Sequence, residues 1–214
     1  MAPPRALIFD FNGTISHDEP VLLAIYQALF AEHGRPMTEH DYFSKLAGNT
    51  EEAIISGWLG VDGPLLGSLV AERIARYQAF ADGSTVPESI RDAIRYAAAR
   101  VPVGLVSGAF RAEIEPVLEA AGIAPLFTTV VTADDVEHGK PAPDGYLLAL
   151  RQLGVELGPD EVVAFEDTEA GIASAKAAGL RCFAVLGTLP VERLAQADEI
   201  VAGIDGPLID RLLA

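Results

Sequence analysis

The 214-residue chain is half apolar and 21% charged, a composition that buries a core and differs from that of a disordered segment. Its formal net charge of −16 disfavours nucleic acid and anionic membrane surfaces as partners, since both need clustered Lys and Arg. An anionic substrate then needs a locally positive site, built from a metal, a lysine or helix N-termini.

The first residues, "MAPPRALIFDF", lack the long apolar region and small-residue cleavage site of a secretory signal. No stretch approaches the ~20 apolar residues of a membrane span, so the expected location is the cytoplasm. "RALIFDF" (5–11) reads as a strand buried on both faces that delivers Asp10 to a tight turn. Residues 17 to about 83 then hold helical stretches, among them "EPVLLAIYQALFAEHG" and "LLGSLVAERIARYQAFA", and no convincing strand. That is far more chain than one crossover helix needs. It predicts an inserted helical cap, 17–83, with hinges near 15–17 and 82–85 and Gly83 as a candidate pivot. In "STVPES", Thr85 and Glu88 have the spacing of a capping box for a helix running to about Arg100.

Four further apolar runs follow: "VPVGLVSG" (101–108), "FTTVVTAD" (127–134), "EVVAFED" (161–167) and "RCFAVLG" (181–187). Helical patterns separate them, two ending in "AAGI" and "AAGL", where a glycine closes a helix. Strand–helix alternation predicts an α/β fold with a doubly wound parallel sheet. The core is then 1–16 and 84–214. Cys182, the only cysteine, lies in a predicted strand and reads as a buried structural thiol. Trp58 reads as part of the cap's core.

Three predicted strands end in polar residues at their carboxyl ends: Asp10, Ser107, and the pair Glu166–Asp167. Ligands bind at that edge of an open parallel sheet. Lys140, in "HGKPAPDGY", follows the third strand and reaches the same edge. Each residue alone has a plainer reading: Ser107 or Glu166–Asp167 as helix caps, Asp10 as a turn residue, Lys140 as a solvated charge. Together they have the composition of a site for Mg²⁺ and a phosphate.

"DFNGT", "VSGAF", "GKPAPDGY" and "FEDTEAGIASAKAAGL" resemble, in order, the four motifs of the haloacid dehalogenase-like phosphatases, and specifically the relatives of β-phosphoglucomutase and phosphoglycolate phosphatase with a helical cap. The resemblance implies an aspartyl-phosphate intermediate on Asp10 and Mg²⁺ held by Asp10, Glu166, Asp167 and the backbone carbonyl of Asn12. It implies that Ser107 and Lys140 bind the phosphoryl oxygens, with backbone groups around Gly108, and that Thr14 orients the turn. In the cap, "KLAGNTEEAI" resembles the stretch that meets substrate, which makes Lys45, Asn49, Thr50 and Glu51 candidates. The mutase branch carries a basic residue where Glu51 stands and a histidine where Leu22 stands, so a mutase is disfavoured. The expected partner is a small phosphorylated metabolite. Nothing in the sequence specifies an oligomeric state.

One position departs from the family pattern. Asn12 stands where the family has the aspartate that shuttles protons, and an amide cannot take up and return a proton near neutral pH. Three readings follow: a slow phosphatase, with His17 as a stand-in proton carrier; an altered chemistry such as C–P cleavage using Lys45, the cap's only lysine, as a Schiff base; or phosphate-ester binding without turnover. The Asn12–Gly13 step is also a candidate for deamidation, which would restore an aspartate.

Overall fold

The computed structural model describes residues 2–47, 49–154 and 158–214. Its first element, β1 (Ala6–Phe9), is buried along its whole length. Helices α1 (Glu19–Glu32), α2 (Glu39–Asp41), α3 (Glu51–Leu59) and α4 (Gly63–Gln78) follow, with a π-helical turn at Tyr42–Leu46. The chain then alternates: α5 (Glu88–Ala98), β2 (Val103–Val106), α6 (Arg111–Ala120), β3 (Thr129–Val131), α7 (Asp144–Gln152), β4 (Val162–Glu166), α8 (Glu169–Ala177), β5 (Arg181–Val185), β6 (Glu199–Val201) and α9 (Gly206–Leu213).

The six strands form one parallel sheet in the order β3-β2-β1-β4-β5-β6. The two-residue period of a strand divides β1 between two cores. Leu7 and Phe9 pack against α5, α6 and α9, while Ala6 and Ile8 pack against α7 and α8. The architecture is therefore α/β and doubly wound. Helices α1, α3 and α4 enclose a third core around Tyr26, Leu29, Phe30 and Ile55, with the half-buried Trp58 stacked on Phe30. No helix among the described residues is long and apolar enough to cross a membrane.

The structure adds to the sequence reading and corrects it. Strand β6 and helix α9 lie in residues to which the sequence assigned no element. The predicted Thr85–Glu88 capping box does not form: Pro87 precedes α5 with no side-chain cap. Thr85 instead accepts a hydrogen bond from Ser16 Oγ at 2.8 Å, and its carbonyl accepts the His17 N–H at 2.8 Å, so it ties together the two chain crossings around residues 16 and 85. Gly83 has φ +77°, and a Cβ there would lie 2.7 Å from the backbone nitrogen of Ala121. It is a glycine required by close packing. Gly122 and Gly179 take the left-handed conformation after α6 and α8, as their spacing predicts. Cys182 is buried, and burial pushes its thiol up.

Candidate active site

Strand β1 ends at Phe9, and the Asp10 N–H still bonds to the Phe165 carbonyl of β4 at 2.9 Å, so the backbone at Asp10 is fixed by the sheet. The chain then turns sharply: the N–H groups of Thr14, Ile15 and Ser16 all point at the Phe11 carbonyl, at 3.3, 2.8 and 2.9 Å. Gly13 makes this turn with φ +74°, and a Cβ there would collide with the carboxylate of Asp167. Glycine is thus required twice at this position, by conformation and by space.

Lys140 reaches the same sheet edge from the loop after β3. Its ammonium lies 2.5 Å from Asp10 Oδ1, 2.6 Å from Glu166 Oε1 and 3.1 Å from the Val106 carbonyl. Glu166 Oε1 also accepts from the hydroxyl of buried Tyr146 at 2.6 Å. Thr14 Oγ1 donates to Asp167 Oδ1 at 3.4 Å. Thr168, not the acidic pair before it, caps α8, accepting from the Gly171 N–H at 3.1 Å. Gly171 has no side chain because the Glu166 carboxylate occupies that space.

The electrostatics follow from crowding in a dry place. Burial, and then the charges of Asp10 and Glu166, raise Asp167 well above the carboxylate range. Burial likewise pushes Glu166 up to about 7, against the pull of Lys140. Burial alone would lower Lys140, but Asp10 and Glu166 outweigh it and hold the ammonium charged. Asp10, Glu166 and Asp167 offer oxygens within 4.8 Å of one another, and Glu166 Oε2 and Asp167 Oδ2 are buried without a hydrogen-bond partner. Three carboxylates face one ammonium, and two oxygens stand open. That donor set fits a hard divalent cation.

Asp10, Asn12, Gly108, Lys140 and Asp167 line one cleft with Leu22, Asn49, Thr50 and Glu51 of the helical segment. Ser107 stands apart: its Oγ accepts the Ala109 N–H at 3.1 Å, and it lines an adjoining cavity that shares Gly108, Thr50 and Lys140 with the cleft. Lys45 is not in the cleft. Its ammonium is exposed and paired with Asp41 at 2.6 Å, over the ring of Trp58. His17 is exposed and outside the cleft as well. The Asn12 amide donates to Asp18 Oδ2 at 2.8 Å, while the Gly13 N–H is held by the Ser16 carbonyl at 2.7 Å. Deamidation needs that nitrogen to attack the side chain, and both partners are tied elsewhere.

Sequence reasoning passed over Glu19, Tyr26, Tyr42 and Arg73, all of which line the cleft. Tyr42 donates to Glu19 Oε2 at 3.1 Å, and burial with the neighbouring Asp18 pushes Glu19 up to about 7. Arg73 is buried between the rings of Tyr26 and Tyr77 and pairs with Glu51 and Glu113. Their only signal in the sequence is a polar residue inside a helical stretch, which reads as a solvated face.

At its carboxyl edge the parallel sheet thus carries a lysine among three buried carboxylates. Residues 4–179 match the model of the haloacid dehalogenase-like hydrolases. The chain belongs to that family. It is 33% identical over 200 residues to validoxylamine A 7'-phosphate phosphatase of Streptomyces hygroscopicus subsp. limoneus, covering 92% of each protein. Fructose-1-phosphate phosphatase YqaB of Escherichia coli (strain K12) is 30% identical, with 81% of this chain and 92% of that protein covered. Among solved structures, CbbY of Rhodobacter sphaeroides in complex with phosphate superposes with a TM-score of 0.83 at 26% identity, covering 94% of this chain and 95% of that one.

Proposed function

We propose that the chain is a Mg²⁺-dependent phosphatase that acts on a small phosphomonoester through an aspartyl phosphate on Asp10. The observation that carries this reading is the Lys140 ammonium wedged between Asp10 and Glu166, with the carboxylate of Asp167 beside them. Phosphoryl transfer asks a protein mainly for position and charge neutralisation. Lys140 fixes Asp10 Oδ1 and leaves Oδ2 to attack phosphorus, so that the bond to Asp10 forms as the ester bond breaks. Ser107, Gly108 and the N–H groups of Phe11 and Asn12, which the turn itself leaves unused, receive the phosphoryl oxygens, and Thr14 steadies the turn through Asp167. Asp10, Glu166, Asp167 and the carbonyl of Asn12 would hold Mg²⁺, whose chemistry when bound is to neutralise the phosphoryl oxygens. Residues 17–83 act as a cap over the core formed by 1–16 and 84–214, and Asn49 and Thr50 meet the substrate from it. The two named relatives are phosphatases of phosphorylated metabolites, which supports the same class here.

Asn12 sets the rate. Its amide is committed to Asp18 and cannot give up or take up a proton near neutral pH, so the leaving oxygen and the attacking water exchange protons with solvent. The lost acid–base catalysis is worth ~10²–10⁴-fold, and esters with good leaving groups suffer least. C–P cleavage through Lys45 is disfavoured by the exposed, paired state of that lysine. The test is phosphate release from a panel of phosphomonoesters with Mg²⁺. Wild type turns over activated esters, chelation stops it, and Asp10→Asn lowers release at least about a hundredfold. Equal release from wild type and Asp10→Asn sinks the reading. Tight ester binding with no release supports a binding protein.

A further inference from the structure

Helix α7 carries into the interior one polar group that packing does not call for. Gly145 lets the helix lie against β2, since a Cβ there would stand 2.9 Å from Val106 Cγ1. Ser174 Oγ of α8 donates to the Ala142 carbonyl, just before α7, at 2.6 Å. The residue after Gly145 is thereby fixed: Tyr146 is 0% exposed, and its ring belongs to the apolar core of Ile8, Val106, Val131 and Ala164. A phenylalanine would fill that space as well. A buried hydroxyl is costly unless it is bonded, and this one donates to Glu166 Oε1 at 2.6 Å.

Glu166 Oε1 already has a donor in the Lys140 ammonium, at 2.6 Å. That tether is shared. An ammonium has three N–H groups to give, and those of Lys140 go to Asp10, Glu166 and the Val106 carbonyl. A phosphoryl anion arriving beside Asp10 competes for the same cation. The Tyr146 hydroxyl has one hydrogen, and Glu166 receives it. The carboxylate also lies flat against Gly171, where a Cβ would overlap Oε2, Cδ and Oε1 alike. Glu166 Oε2 is left buried without a hydrogen-bond partner, in a cluster whose three carboxylates offer oxygens within 4.8 Å of one another.

We propose that Tyr146 is a positioning residue: its hydroxyl, with Gly171 behind, holds the Glu166 carboxylate in the cluster where Mg²⁺ would bind, while Lys140 is drawn toward the phosphoryl group. This rests on the Mg²⁺-dependent reading of the site and adds the residue that keeps one of its ligands in place independently of the lysine.

The test is Mg²⁺ affinity, read by calorimetry on the intact protein with inorganic phosphate present, so turnover plays no part. Tyr146→Phe removes one oxygen and keeps the ring. Thermal melts of the metal-free variant confirm its fold, and Tyr146→Met takes its place if it does not fold. The variant should bind Mg²⁺ at least about tenfold more weakly than wild type, within the roughly 10–100-fold that outer partners of metal ligands are worth. The loss should run through Glu166. With Glu166→Gln already in place, which keeps an oxygen for the cation, Tyr146→Phe should change the affinity less than about threefold. A loss below about tenfold in the native background overturns the proposal. The same loss in both backgrounds overturns it too, since it would mark a general disturbance of the site. A wild type that binds no Mg²⁺ removes the metal-dependent phosphatase and this proposal together, whereas equal binding by wild type and Tyr146→Phe removes the tyrosine's role alone.

Discussion

The amide of Asn12 and the carboxylate of Asp18 form a matched donor–acceptor pair at 2.8 Å, inside the turn that carries the nucleophile. Asp18 precedes α1 in the position of an N-cap, yet its side chain caps nothing; it is fully buried and bonded to Asn12 and Tyr77. From the sequence an Asp before a helix reads as a cap, which is why its partnership with Asn12 was not legible there. The departure at position 12 was legible, but its compensation was not. Asn12→Asp alone would set two carboxyl groups within hydrogen-bond distance, and one of them would stay protonated. The single variant should therefore gain little on esters with poor leaving groups. Asn12→Asp with Asp18→Ser, which restores a donor, should gain ~10²–10⁴-fold in steady-state phosphate release. Glu19 makes a second prediction. Burial and Asp18 move its carboxyl from the usual 4.5 to about 7, with Asp10, Asp167, Tyr42 and Arg73 also facing it. The native state thus binds a proton there that the unfolded chain has lost, so this group's contribution to stability is greatest below the ordinary value and falls as pH rises to about 7. Thermal melts of metal-free Glu19→Gln should show a gain of a few degrees over wild type near pH 8 and none near pH 4.

Helices α4 and α6 meet across a buried cation. Arg73, 1% exposed on α4, pairs with Glu113, 1% exposed on α6, and the Gln78 amide adds a bond to the Ala112 carbonyl at 2.8 Å. The helical segment is thereby fastened to a core helix as well as through its two chain crossings. Breaking a buried pair from one side leaves a stranded charge and costs about 3–5 kcal/mol, whereas removing both partners is far cheaper. Arg73→Leu should lower stability in urea by that amount, and Arg73→Leu with Glu113→Leu should recover part of it, Glu51 remaining without its cation. The periodicity of "SLVAERIARYQAF" revealed a helix but could not reveal Arg73 as interior, because an Arg between apolar turns is what a solvated face looks like. The short edge strand Glu199–Val201 escaped for a related reason: three residues opened by an acid and only partly buried carry little of the continuous apolar signal that exposed β1, β2, β4 and β5.

A chain with a net charge of −16 that binds a phosphate ester must concentrate its few cations where the anion sits. Here one buried ammonium is set among three carboxylates at the carboxyl edge of the sheet, and a bound divalent cation would bring the local balance to zero. The topology made this much readable in advance: strands buried on both faces announce themselves, and the polar residues that end them fall on one edge. What the linear pattern could not convey is the opposite wall, where the helical segment contributes Glu19, Glu51 and Arg73 through packing alone. The central claim is that Asp10 takes the phosphoryl group and that Asn12 leaves its removal slow. Rapid mixing of the Mg²⁺-loaded protein with p-nitrophenyl phosphate, followed by acid quench and peptide mass spectrometry, tests both parts together. The account predicts a burst of one nitrophenolate per chain before a slow steady state, with a phosphoryl group on the peptide containing Asp10. Nitrophenolate release with neither burst nor modified peptide would contradict it.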